Sequence, residues 1–166
     1  MTVTTATLEN GMRQVRETIL IRRHPQELYD VWRGLTRLPE LMEHVISVTS
    51  TGPDRSHWIV KGPAGRTVEW DAEMTEKPAE RTIAWHTLAG ADVRNAGEVS
   101  FQPASDGNGT EMSVVISYDP PGGSMGVAVA QLFGEEAGQQ LEEDLKRFKR
   151  RMEESGERGV RHGQSR

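Results

Sequence analysis

The stretch Gln139–Met152 constrains this chain most. Leu141, Leu145, Phe148 and Met152 recur at spacings that place all four on one face of a helix. The positions around them are charged, with Glu142, Glu143 and Asp144 ahead of Lys146, Arg147, Lys149, Arg150 and Arg151, the order a helix dipole favours. Such a helix is wet on one side and needs an apolar surface beneath the other. The chain must therefore build that surface elsewhere.

Residues 44–120 read as its source. After His44 the apolar period changes to two, with strand candidates at Val45–Thr51, Ser56–Lys61, Thr67–Thr75, Arg81–Leu88, Val93–Phe101 and Thr110–Tyr118. The breaks are turn chemistry, such as Gly52-Pro53-Asp54, Lys77-Pro78-Ala79-Glu80 and Asp106-Gly107-Asn108-Gly109. Connections this short predict antiparallel hairpins, because parallel neighbours need long crossovers. Parity gathers Trp58, Val60, Val68, Trp70, Ala72, Met74, Ile83 and Trp85 on one face. Val93, Asn95, Gly97, Val99, Phe101, Met112, Val114, Ile116 and Tyr118 continue it. The opposite face carries His57, Lys61, Glu69, Asp71, Glu73, Glu98 and Glu111, so one side is wet and one is apolar.

Upstream, Arg13–Ile21 alternates as a further strand. Pro25 suits the first position of a helix bearing Leu28, Val31, Trp32 and Leu35, and a second short helix bears Leu38, Leu41 and Met42. Residues 1–12 are polar and expected to be flexible, residues 13–153 form one domain, and residues 154–166, with Val160 as their one apolar residue, are expected to be a disordered tail. Between Tyr118 and the last helix, Met125, Ala128, Val129, Leu132 and Phe133 make a stripe of their own. At about 100° per residue Leu132 and Leu141 fall on opposite sides of a straight helix, so a kink near Gly134 and Gly138 is expected.

The absence of cysteine removes disulfides, thiol catalysis and thiolate metal ligation. The formal net charge of −5 argues against general nucleic-acid binding. No apolar run is long enough to insert stably in a membrane, and Met1 to Asn10 does not read as a signal peptide, so a cytoplasmic protein is expected, as monomer or homodimer. No Gly-x-Ser-x-Gly elbow is present, and the glycines at 122–126 read as a hinge rather than a phosphate loop. The five histidines lack metal-pair spacing, so surface histidines and no metal are expected. Glu17 shares the parity of Val15, Ile19 and Ile21; it reads either as a strand-end residue reaching solvent or as a polar group in the interior. Asn95 raises the same question and reads as an inward polar contact that would orient a guest.

The order strand, two short helices, six strands, long C-terminal helix is informative as a whole. With the segments Pro25–Leu35, Leu38-Pro39-Glu40-Leu41-Met42, Arg66-Thr67-Val68-Glu69-Trp70 and Gly109-Thr110-Glu111-Met112, the chain resembles the START-like helix-grip superfamily (SRPBCC), and within it the polyketide cyclase/dehydrase and lipid-transport group. The resemblance implies an α+β helix-grip fold: a curved seven-stranded antiparallel sheet around a long C-terminal helix, with two short helices between the first two strands. It implies a cavity between sheet and helix, without cofactor. Trp58, Trp70, Met74, Trp85, Asn95, Phe101, Met112, Val114, Tyr118 and Phe133 are the expected lining residues. Cyclases of this kind carry two arginines and a tyrosine whose positions fall here at Met74, Thr87 and Val45. Cyclisation needs donors that hold ketone oxygens.

The expected function is therefore binding of a hydrophobic small molecule, whether lipid, polyketide, quinone or flavonoid-like, rather than catalysis. The alternatives are a cofactor-free polyketide cyclase/dehydrase using polar residues such as Asn95 or Tyr118, and a partner-binding protein of the quinone- or ribosome-associated type. A packed domain whose tryptophan face is only core stands beside all three.

Overall fold

The computed structural model describes residues 2–7, 12–41, 44–61, 67–119 and 135–164. Alternating apolar positions become strands where turn residues bound them. β2 is Arg13–Ile21, β3 Val45–Gly52, β4 Arg55–Lys61, β5 Thr67–Lys77, β6 Thr82–Thr87, β7 Asn95–Pro103 and β8 Thr110–Tyr118. An additional strand, β1 (Thr2–Thr7), precedes them. α1 (Pro25–Arg33), a 3-10 turn (Leu35–Arg37) and α2 (Leu38–Leu41) connect β2 to β3, and α3 (Glu135–Gln164) ends the chain.

All strands join one antiparallel sheet in the order β1-β2-β8-β7-β6-β5-β4-β3. From β3 to β8 it is a meander of consecutive hairpins. The loops between them are too short for any other arrangement. β2 returns from the start of the chain to close on β8, from Arg13↔Tyr118 to Ile21↔Thr110. This is the helix-grip α+β arrangement that the element order predicts.

Two expectations about the termini need correction. The N-terminal segment is not wholly unstructured, because Thr2–Thr7 pairs with β2 from Thr2↔Thr18 to Thr7↔Arg13 and makes the sheet eight-stranded. Its run of threonine and valine suits an edge strand by β-branching alone, without apolar alternation. At the other end, α3 continues through Gln164 instead of stopping near residue 153. Arg23 reaches the start of this extension: its Nη1 donates to Met152 O (2.6 Å) and to Ser155 Oγ (3.0 Å). Gly138 lies inside the helix without interrupting it, since a single glycine costs a helix only about 1 kcal/mol. Gly134, Phe133 and the stripe from Met125 lie outside the described residues.

α1 starts as its sequence dictates. The His24 Nδ1 accepts from the Gln26 N–H at 3.2 Å, and Pro25 occupies the first turn, where its missing donor is not needed. α1 lies over β7 and β6, α3 over β2 and β1, and α2 against β3 and α3. Leu28, Tyr29 and Trp32 meet Phe148 and Leu145 of α3 above Val99, Phe101 and Met112 in a single core. The rings of Trp32 and Phe148 meet edge-on at 6.0 Å, and Tyr29 meets Phe101 at 6.5 Å.

Candidate functional site

The sheet register brings the expected aromatic residues to one face. Trp58 stands opposite Trp70, Met74 opposite Trp85, and Trp85 opposite Gly97. Paired residues in an antiparallel ladder point the same way, so the three indoles share the inward side. Trp58 and Trp70 are stacked, with centroids 6.3 Å apart and planes 16° from parallel. Phe101 opposes Met112, Val99 opposes Val114, and Asn95 opposes Tyr118 on the same side.

Burial divides this face into two regions. Phe101, Met112, Val114 and Tyr118 are all no more than 2% exposed, sealed within the packed core. They are not accessible lining, contrary to the sequence-based expectation. Parity identifies the inward face but not which strands the helices cover, and α1 lies over β7 here. Trp70 is also buried, by its stack on Trp58. Trp58, Val60, Met74 and Trp85, by contrast, remain only half-buried although they point inward. These accessible inward side chains of β4–β6 are set among buried Val68, Ala72 and Ile83, and Val45 and Ile116 are also half-buried.

Asn95 is part of this wall, but its amide is committed to the protein. Its Oδ1 accepts from Trp85 Nε1–H at 3.1 Å, its Nδ2 donates to Val93 O at 3.0 Å, and its own N–H donates to Thr87 Oγ1 at 3.2 Å. The indole meets its Oδ1 without any guest, and one further Nδ2–H remains beyond these bonds. Ser56 and Thr110 are similarly engaged, whereas the inward Trp70 Nε1–H is buried without a hydrogen-bond partner. Ser56 Oγ accepts from Trp58 Nε1–H at 2.9 Å, and Thr110 Oγ1 donates to Arg23 O at 2.6 Å. Met74 and Thr87 occupy inward positions opposite Trp85 and Ala72. No inward position along β4–β8 carries a lysine or arginine.

Glu17 resolves to the interior alternative. It is 0% exposed, and neither carboxyl oxygen has a hydrogen-bond partner. Burial first, and then the nearby Glu142 carboxylate, push its pKa up to about 7; Lys146 and the amino terminus pull the other way.

Among the histidines, His57 sits on the outward face between two carboxylates, with Nδ1 2.9 Å from Asp71 and Nε2 3.1 Å from Glu69. Hydrogen bonds to Asp71 and then Glu69 raise its pKa. His44 departs from the surface expectation. It is half-buried, and its Nδ1 lies 3.0 Å from Asp144 Oδ1 on α3. Asp144 is itself buried. A signal for that burial was in the sequence: Asp144 is three residues after Leu141 and four before Phe148, within the apolar stripe. Nothing in the sequence pairs it with His44.

Two larger clefts lie at the ends of the sheet among the described residues. One, of about 780 Å³, runs between the β2–α1 connection and the Asp106–Gly109 turn. The other, of about 520 Å³, lies between Arg33–Thr36 and the β3–β4 turn, and includes Met74. Trp58, Trp70 and Trp85 line neither.

Comparison with known proteins agrees with this architecture. Residues 21–146 match the family described as polyketide cyclase / dehydrase and lipid transport. A Streptomyces lincolnensis relative, described as an uncharacterized 17.2 kDa protein, is 28% identical over 149 residues, covering 88% of this chain and 93% of its own. The crystal structure of DR_A0006 from Deinococcus radiodurans is 40% identical with a TM-score of 0.67, covering 84% of this chain and 96% of the other. The Zhui aromatase/cyclase from a Streptomyces species shares the fold, at 22% identity and a TM-score of 0.58, over 82% of this chain and 86% of its own.

Proposed function

The chain belongs to the polyketide cyclase / dehydrase and lipid transport family, and we propose that it binds a planar hydrophobic small molecule against the inward face of β4–β6. The observation that carries this reading is the half-burial of Trp58, Met74 and Trp85 at inward positions, while the inward residues of β2, β7 and β8 are mostly sealed. Large apolar side chains left accessible on an inward face suit an apolar guest. The parallel Trp58–Trp70 stack offers a flat surface for a ring system, and Met74 adapts to an irregular outline.

Binding is favoured over cyclisation by the polar inventory of the same wall. Ser56, Thr87, Asn95 and Thr110 are all engaged within the protein, and the inward positions of β4–β8 hold no cationic side chain to stabilise an enolate. A titration with a naphthoquinone and a flavonoid, followed by tryptophan fluorescence, tests the reading. Saturable quenching is expected, weakened about tenfold or more in Trp58→Leu, the loss of a stacked aromatic partner. A flat response across both ligand classes, or quenching indifferent to Trp58→Leu in a folded variant, would overturn it. Regiospecific ring closure of a poly-β-ketone above background would favour the enzyme reading instead.

A further inference from the structure

Glu17 lies midway along β2, between Val15 and Ile19, with Val3 of β1 and Val114 of β8 as its register partners. Its neighbours within the sheet are apolar, because Met112, Val114 and Ile116 are the inward residues of β8 beside it. α3 lies over β1 and β2 and contributes the charged groups that act on Glu17, namely Glu142 and Lys146. The amino terminus acts as a further positive charge. Lys146 is already bound to Glu142, with Nζ 2.8 Å from Oε1. Neither oxygen of Glu17 is accessible to water, and neither meets a donor.

We propose that Glu17 is a proton-operated latch between the β1–β2 edge and α3: neutral, it packs under the helix; ionised, it loosens that seam. A neutral carboxyl can be buried with a tolerable loss of hydrogen bonding, whereas an unpaired carboxylate in the same place is far more costly. Relief requires water to enter beneath α3, or Lys146 to leave Glu142 for Glu17; the first opens the seam and the second breaks an ion pair on α3. Glu142 adds to the effect, because two carboxylates would then share one lysine.

The direction of the pH effect follows from the raised folded-state value of about 7 against the ordinary 4.5. Below pH 4.5 both folded and unfolded chains hold the proton, and the seam is at its tightest. Between 4.5 and about 7 the unfolded or opened form ionises first, so stability falls as pH rises, and above that it levels off. This latch is independent of the ligand proposed above.

The full chain, labelled with 13C at its glutamate carboxyls, tests the proposal. One carboxyl is expected to titrate near 7 and to vanish from the spectrum in Glu17→Gln. Hydrogen exchange at pH 5.5 and 8, corrected for intrinsic rates, should show protection in β1, β2 and the Leu141–Met152 part of α3 falling about tenfold or more at the higher pH. Amides of β4–β6 should lose less. Glu17→Gln, which keeps the shape and removes the charge, should abolish the difference. A wild-type Glu17 that titrates near 4.5 would overturn the proposal without any variant. So would a Glu17→Gln chain whose seam retains the same pH dependence.

Discussion

Trp85 lies directly across the backbone of its register partner Gly97: a Cβ at residue 97 would stand 2.1 Å from Cζ2 and 2.4 Å from Cη2 of the indole. The missing side chain is what lets the ring lie across the sheet and reach Asn95 Oδ1 with its N–H. Glycine here serves close approach, a use that strand glycines often have.

Gly97→Ala should therefore displace the indole and break its bond to Asn95. The expected cost is about 1–3 kcal/mol, the range for overpacking a well-filled site. Denaturant unfolding measures the cost, and tryptophan emission should shift with it. Unchanged emission together with unchanged stability would show that Trp85 does not need this space.

Asn95→Leu separates a structural amide from a ligand-binding one. It leaves the Trp85 N–H and the Val93 carbonyl without their partner, an expected loss of about 1–3 kcal/mol in stability. Quinone affinity of the folded variant should change less than it does in Trp58→Leu. An affinity loss larger than that of Trp58→Leu would return Asn95 to the role of guest anchor.

The two regions of the inward face should respond differently to truncation. Phe148 is fully buried among Trp32 and its neighbours, so Phe148→Ala should cost about 3–5 kcal/mol. Trp58 is half-buried, and Trp58→Leu should cost well under that while still weakening ligand binding. Equal losses in thermal unfolding experiments would mean that β4–β6 is packed as tightly as the rest.

His57 supplies a pH prediction of the opposite sense to that of a depressed carboxylate. Only the imidazolium can donate from both nitrogens to Asp71 and Glu69, and its pKa is raised. Its contribution to stability is complete below the unfolded value, about 6.5, and is lost as pH rises through the higher folded value. His57→Gln should therefore lower stability more at pH 5.5 than at pH 9. Proton NMR titration of the ring checks the raised value, and a midpoint below 6.5 would contradict it.

Strands were the most legible part of the sequence, because alternation and turn residues act locally. Thr110–Tyr118 begins and ends where its alternation does. The shared side of Trp58, Trp70 and Trp85 was legible for the same reason. Coverage was not: whether Phe101 or Trp58 lies under a helix depends on where α1 and α3 rest, and no local pattern encodes that. β1 was missed because threonine gives a strand without an apolar face. The disposition of Glu17 could not be fixed by parity alone, since the same parity serves a residue near a strand end and one beneath a helix.

The sheet order also governs when the sheet can close during synthesis. β3 to β8 can pair one after another as they leave the ribosome, each with the strand made just before it. β2 has to wait, with only β1 beside it, until β8 has been made, because its other edge belongs to that strand. Such a long-range closure carries a large loop-entropy cost and slows folding. A nascent chain arrested before β8 should thus leave the inward side of β2, including Val15 and Ile19, uncovered and open to chaperones. Arrest beyond α3 should protect it, a difference that pulsed hydrogen exchange on stalled ribosomes can read.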